Sequence, residues 1–252
     1  MAAQRIVCVT GATSGIGKAT AQRFIKEGWK VIITGRRRER LIELALESGE
    51  NCLPLPMDVS DKDAVAKAFA SLPDAFKPVD VLVNNAGGAL GLEGADKAKL
   101  DDWETMVDAN IKGVLYCTKA VLGDMVARGS GFVINIGSIA SFTSYPGANV
   151  YGATKAFVAQ FTRNLRADLH GTGVRASVVE PGQLESEFSL VRFKGNEDRA
   201  SSVYAGSNPL KPEDLADIIH YVATMPPHVD IYQLRVMPTS QSDGGTHVFK
   251  KQ

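Results

Sequence analysis

The chain is short of cysteine, short of histidine and without an excess of charge of either sign, and each shortage removes a class of function. Its three cysteines, Cys8, Cys52 and Cys117, are an odd number without metal-ligand spacing and lie within apolar stretches. They read as buried thiols in a reducing compartment, not as a disulfide scaffold. The four histidines, His170, His220, His228 and His247, are scattered, so no metal site is expected. Lysine plus arginine and aspartate plus glutamate stand at 28 each, so no field of one sign marks out nucleic acid or a membrane surface as partner. No apolar run approaches the ~20 residues of a membrane span. "MAAQ" leads into "RIVCVT" without a basic segment, a long apolar segment and a cleavage site. The expectation is a cytoplasmic protein with small-molecule ligands.

What is present is material for one large core. The 252 residues are 44% hydrophobic and show no linker, low-complexity segment or short repeat, so residues 1–252 are expected to form a single domain. Apolar runs of strand length recur at "RIVCVT", "KVIIT", "VDVLVN", "FVINI" and "VRASVVE", each bounded by turn residues and separated by amphipathic stretches. Such runs suit parallel strands covered on both faces. Ser60 with Asp63 resembles a capping box, Gly28 follows the first helix, and Pro212 suits the first turn of the helix through "EDLADIIHYVA". The predicted class is α/β, a doubly wound parallel sheet with helices on both faces. The irregular stretch from Gln183 to Tyr204 follows a strand's C-terminal end, where ligands of such sheets bind, and reads as a lid.

After the first strand comes "TGATSGIG", with Gly11, Gly15 and Gly17 leading into a helix and Thr13, Ser14 and Ile16 between them. A glycine turn lets the backbone approach a diphosphate, and the helix N-terminus offers it unpaired N–H groups and a positive dipole. At the first strand-to-helix junction this points to a dinucleotide. Where an NAD site wants an acidic residue after the second strand, the chain has "TGRRRER"; Arg36 and Arg37 suit a 2′-phosphate, so NADP(H) is expected. Arg38 to Arg40 fit the charged first turn of a helix. Asp58 with Val59 ends the third strand, within reach of an adenine amino group. Asn84, Asn85, Ala86 and Gly87 end the fourth and turn past the adenosine ribose.

In "NVYGATKAFVAQF", Tyr151 and Lys155 lie four apart and so on one helical face. A cation there would lower the phenol's pKa. A lone Tyr-x-x-x-Lys arises often by chance, so the rest of the chain has to decide.

Together these residues resemble the short-chain dehydrogenase/reductase family in its compact single-domain, Rossmann-type branch. The glycine spacing, "NNAG", Asn110 in "VDANIKG", Ser138 in "INIGS", "YGATK" and "EPG" occur in the family's order over nearly the whole chain. Within it, "TGRRRERL", "DWETMVDAN", "EFSLVRFKG" and "MPTSQS" are similar to the NADP-dependent 3-hydroxy acid dehydrogenases, and sulfoacetaldehyde reductases share much of the pattern. Gln183 stands where the family often has an apolar residue, and Ser186 where it has threonine. The resemblance implies an NADP(H)-dependent oxidoreductase and a homotetramer. A non-catalytic NADP sensor on the same fold has no need of the whole Asn110, Ser138, Tyr151 and Lys155 set, and an extended epimerase would need a larger C-terminal region.

It further implies roles. Tyr151 is the proton donor for carbonyl reduction and the base for alcohol oxidation, so its phenol has to be drawn down from ~10 toward neutrality. Lys155 and the oxidised nicotinamide are expected to draw it there, and Lys155 to hold the nicotinamide ribose. Ser138 orients the substrate oxygen, and Asn110 holds a water in the proton relay. Pro181, Gly182, Leu184 and Ser186 border the cofactor. Ser138, Tyr151, Gln183 and Arg192 are the expected substrate contacts, for a short aldehyde with an anionic head group. Phe188, Phe193 and Lys194 accompany Arg192 on the lid, and Phe249 and Lys250 of the tail at 238–252 are offered to a neighbouring subunit. The amide of Gln183 gives a slight lean toward a sulfonate head.

Overall fold

Side chains along a strand point alternately to opposite faces, so an unbroken apolar run requires cover on both. The structure, a computed structural model that describes residues 4–242 and Val248, supplies it. The strands β1 (Ile6–Val9), β2 (Lys30–Gly35), β3 (Cys52–Pro56), β4 (Val81–Asn84), β5 (Gly131–Ile136), β6 (Val174–Pro181) and β7 (Gln233–Val236) form one parallel sheet in the order β3-β2-β1-β4-β5-β6-β7. Val7 and Val9 meet Phe24 of α1 (Gly15–Lys26), Leu41 of α2 (Arg38–Ser48) and Ile219 of α9 (Pro212–Thr224). Ile6 and Cys8 meet Val65 of α3 (Lys62–Ala70), Cys117 of α5 (Gly113–Ala127) and Leu165 of α6 (Asn149–Asp168). The doubly wound α/β sheet with helices on both faces is therefore what the chain builds. All three cysteines are free and buried, and burial pushes the thiols up, Cys52 to about 11 and Cys117 to about 12.

The structure departs from the expectations at three places. β7 has no apolar run to announce it, being a four-residue, only partly buried edge strand. Asp61 caps α3, its carboxylate accepting from the N–H groups of Asp63 (2.9 Å) and Ala64 (3.0 Å), because the Ser60 hydroxyl already donates to Asp58 at 2.7 Å. The 183–204 stretch is not irregular throughout, since it carries α7 (Glu187–Arg192) and α8 (Glu197–Ser202).

The chain runs from β1 outward to β3 and then returns across β1 to β4. That reversal opens a crevice beyond the C-terminal ends of β1 and β4, where such sheets place ligands. The loop after β4 leads into α4 (Leu100–Val107), and α7 and α8 follow the end of β6.

Candidate active site

The turn between β1 and α1 is held against the end of β4 without space for side chains. A Cβ at Gly11, whose φ is +68°, would lie 2.8 Å from Cα of Ala86, and one at Gly17 would collide with the Gly11 carbonyl. The Asn85 amide locks the turn by donating to the carbonyls of Thr10 (2.9 Å) and Gly11 (3.1 Å). Thr10, which no local pattern in the chain singles out, answers with its buried hydroxyl, accepting from the N–H groups of Asn85 and Ala86 at 3.0 Å each. Ser14 caps α1 without a side-chain hydrogen bond, and the first turn carries no acidic residue, so its N–H groups suit an anion. This chemistry fits the diphosphate of a dinucleotide.

Beyond the turn lies a cavity of about 330 Å³ lined by Thr13, Ser14, Gly15, Lys18, Arg40 and Glu187, among others. Arg37 reaches across its edge, Nη2 donating to the hydroxyls of Thr13 and Ser14 at 2.6 Å each and Nη1 to Glu187 at 2.8 Å. Arg40 donates to the same carboxylate at 2.8 Å. Partial burial pushes the Glu187 carboxyl up, but the hydrogen bonds and charges of Arg37 and Arg40 outweigh it and hold it below the usual carboxylate range. Arg36 is far freer, its side chain 77% exposed and 3.9 Å from Asp58. Arg40 is thus more than a first-turn charge. Val59 packs where a Cβ at Gly113 would sit, 2.7 Å from its methyl group.

The four residues of the resemblance converge from three elements. Asn110 is buried in a π-helical turn, Asp108–Lys112, between α4 and α5, and such turns recur at functional sites. Its amide donates to the Gly88 carbonyl (2.9 Å) and to the Thr154 hydroxyl (3.0 Å) and accepts from Gly88 N–H (2.9 Å). Ser138 follows β5, caps the short turn Ile139–Ser141 and sits beside the phenol of Tyr151, whose pKa its hydroxyl lowers. Lys155 points its ammonium at the Ile136 carbonyl, 2.8 Å away, and 6.0 Å from the centre of the Tyr151 ring.

Here the part of the electrostatic expectation that rests on Lys155 needs correcting. Burial pushes the Tyr151 phenol up to about 12; the Ser138 hydrogen bond and the charge of Arg192 oppose it, and Tyr145 adds to it. Lys155 is not among the groups that draw the phenol down. Burial lowers its own pKa to about 8, so near that pH half of the Lys155 side chains are neutral.

Over this quartet lies the 183–204 segment. Ser186 caps α7 by accepting from Phe188 N–H at 3.2 Å and lies against Gly15. Leu184 pairs with Leu210 across an isolated bridge, and Pro181 of β6 faces Val236 of β7. The next residue, Gly182, is backed by the Gln241 side chain, which accepts from Gln183 N–H at 2.7 Å. The Phe188 ring lies 5.7 Å from that of Tyr151. Arg192 sits between aromatic faces, 5.7 Å from the Tyr145 ring and 5.8 Å from Tyr151. Its Nε donates to the Gly91 carbonyl at 3.0 Å, while Nη2 is buried with no hydrogen-bond partner. Lys194 is committed to Asp102 at 2.8 Å, and Phe193 lies under Arg199. Phe249 and Lys250 fall outside the described residues.

A crevice at the sheet's reversal point, a glycine turn opening onto a helix N-terminus and a buried Tyr-Lys pair beside a serine define a class. The chain belongs to the short chain dehydrogenase family, whose model matches residues 5–196, and is an oxidoreductase of that family. It is 53% identical to the NADP-dependent 3-hydroxy acid dehydrogenase YdfG of Salmonella typhi over 246 residues, 97% of this chain and 99% of the relative. To the serine 3-dehydrogenase of Rhizobium radiobacter it is 50% identical over 245 residues, 97% of this chain and 98% of the relative. Among solved structures, the closed form of a serine dehydrogenase complexed with NADP+ matches with a TM-score of 0.94 at 51% identity, covering 98% of this chain and 100% of that one. The serine dehydrogenase from Escherichia coli matches with a TM-score of 0.84 at 49% identity, covering 94% and 99%. Among the described residues no helix is long and apolar enough to cross a membrane, and no group of three or more His, Cys, Asp or Glu could hold a metal.

Proposed function

We propose that this chain interconverts a short 3-hydroxy acid and its semialdehyde, using NADP(H). The cofactor is NADP(H), the one named in relatives that span the whole chain, and it supplies the nicotinamide carbon that gives or takes hydride. The turn from Gly11 to Gly17, with Thr13, Ser14 and Ile16, holds its diphosphate, and Arg36 and Arg37 its 2′-phosphate. Asp58 and Val59 border the adenine, Asn85 to Gly87 the adenosine ribose. Pro181, Gly182, Leu184 and Ser186 border the nicotinamide half. Tyr151 gives or takes the proton at the substrate oxygen, Ser138 orients that oxygen, Lys155 holds the nicotinamide ribose, and Asn110 holds a relay water. The 183–204 segment is the substrate lid. A cytoplasmic setting agrees with three unpaired buried thiols; a homotetramer is carried over from the family, and light scattering tests it.

The observation that carries the substrate class is Arg192, whose buried Nη2 lacks a partner next to Tyr151. A buried guanidinium N–H without an acceptor is costly, and an anionic head group satisfies it. Gln183 does not favour a sulfonate. Its NH2 donates to the Val203 carbonyl at 2.8 Å and the buried atom left over is Oε1, an acceptor, which suits an N–H or O–H on the substrate better than further sulfonate oxygens. Serine, 3-hydroxypropionate and malonic semialdehyde therefore come before isethionate and sulfoacetaldehyde.

The test is a kcat/KM panel of these compounds beside a neutral aldehyde of similar size, for the wild type and Arg192→Ala. Anionic substrates should lead by about 30-fold and lose that lead in the variant, the ~2 kcal/mol of a charge-assisted hydrogen bond. A neutral aldehyde that reacts as well as malonic semialdehyde overturns the reading.

A further inference from the structure

The carboxylate of Glu180 is completely buried yet belongs to no step so far described. It lies in β6, directly before the Pro181-Gly182 turn. One oxygen takes a very close hydrogen bond from the Ser141 hydroxyl. The other accepts from Gln233 Nε2 at 2.7 Å and from Arg235 Nε at 3.3 Å, both on β7. Arg235, in turn, lies with its guanidinium 3.6 Å from the centre of the Phe142 ring. The stem of the same side chain fills the space beside Gly137, where a Cβ would come within 2.9 Å of Glu180 Cγ.

These contacts fall on both sides of one residue. Gly137 precedes Ser138, and Ser141 closes the short turn that Ser138 caps. Glu180 thus grips the Ser138 segment by its stem at one end and by its carboxylate at the other. Burying a carboxylate whose cation stays 44% exposed is a poor way to gain stability, and an apolar residue of similar size would serve a core better. What the carboxylate adds is direction, because three donors from two elements fix where the turn sits. We propose that Glu180 is a positioning residue that holds Ser138 at the substrate oxygen, acting through the Ser141 hydroxyl and the Gly137 backbone. This rests on the reading above, in which Ser138 and Tyr151 handle that oxygen. The Ser138 hydrogen bond also draws the Tyr151 phenol down, so loosening Ser138 moves the acid-base behaviour of Tyr151, which a residue serving only the fold leaves alone.

The experiment is a double-mutant cycle of Ser141→Ala and Ser138→Ala, read by kcat, by NADPH binding and by the pH profile of alcohol oxidation, with Ser141→Thr as rescue and Glu180→Gln alongside. Ser141→Ala leaves Glu180 bonded to Gln233 and Arg235, so the cycle stands even where Glu180→Gln fails to fold. Ser141→Ala is expected to lower kcat about tenfold, less than the ~100-fold of a 1 Å misplacement, with NADPH affinity unchanged within about twofold. The ascending limb of the profile, where Tyr151 loses its proton, should move up in pH, and Ser141→Thr should restore both. In the Ser138→Ala background, adding Ser141→Ala should cost less than about twofold. Effects that multiply, or a profile that does not move, overturn the positioning role. If Ser138→Ala itself keeps wild-type kcat, the reading of the site fails first and takes the role of Glu180 with it.

Discussion

The two sides of the crevice are held by different physics. On the β5 and α6 side, Lys155 and Asn110 are buried and bonded to main-chain carbonyls or a neutral hydroxyl at 2.8 to 3.0 Å. On the lid side, besides the Arg192 bond to the Gly91 carbonyl, the ties are ion pairs with side chains about half exposed: Glu187 with Arg37 and Arg40, and Lys194 with a more buried Asp102. Burial displaces protonation equilibria and fixes geometry; exposed pairs contribute little and are screened by salt. The first kind suits the groups proposed to act on the substrate, which have to hold still, and the second the proposed lid, which has to open and close.

Four perturbations sharpen or break this contrast. Tyr151→Phe strikes the buried side hardest: turnover should fall by more than about 100-fold while NADPH titration gives an affinity within about twofold of wild type. Wild-type kcat would sink the proton-transfer role. Next, Arg36→Ala with Arg37→Ala should weaken NADPH by about 30-fold through lost charge-assisted hydrogen bonds and NADH hardly at all. Equal loss for both cofactors would contradict the 2′-phosphate assignment.

Lys155→Met should abolish turnover yet stabilise the fold. Its folded-state pKa is about 8 against an ordinary 10.5. Below pH 8 both the folded and the unfolded chain hold the proton, and the folded chain bears the full cost of a buried charge. Between 8 and 10.5 only the unfolded chain holds it, so wild-type stability rises with pH across that window. At pH 7 the variant should gain about 2 kcal/mol in urea unfolding, after ~1 kcal/mol for the lost bond to Ile136. That gain should shrink toward pH 10; a gain independent of pH would show that the lysine's charge is not its source. Smallest is Glu187→Gln, where loss of half-exposed pairs contributes under ~1 kcal/mol. Substrate KM should rise severalfold at low salt and then vary less with ionic strength than in the wild type. An unchanged salt dependence would mean that closure does not rest on these pairs.

How much of this was legible in the chain follows the same divide. Strands buried on both faces announce themselves as apolar runs, and glycine turns and the Tyr151 to Lys155 spacing are local patterns. β7 lies at an edge and needs no such run. The Glu187 and Arg37 pair spans 150 positions, with no periodicity to connect them. The capping pattern at Ser60 misses the cap of α3 by one residue, because the Ser60 hydroxyl is engaged with Asp58 and leaves the role to Asp61. A cation one turn from a phenol suggests an acidified tyrosine, but desolvation depends on everything packed around it, and here desolvation wins.

The Thr10 hydroxyl has one more consequence. The amides of Asn85 and Ala86 lie beyond the end of β4, on what is formally a loop, yet both reach that one oxygen, Asn85 sharing its N–H with the Val83 carbonyl, and the oxygen is almost wholly shielded from water. Their exchange with deuterated solvent is therefore tied to parting of the two central strands at the reversal point and not to local loop motion. Slow isotope uptake at these two positions would make them a clock for the breathing of the crevice itself.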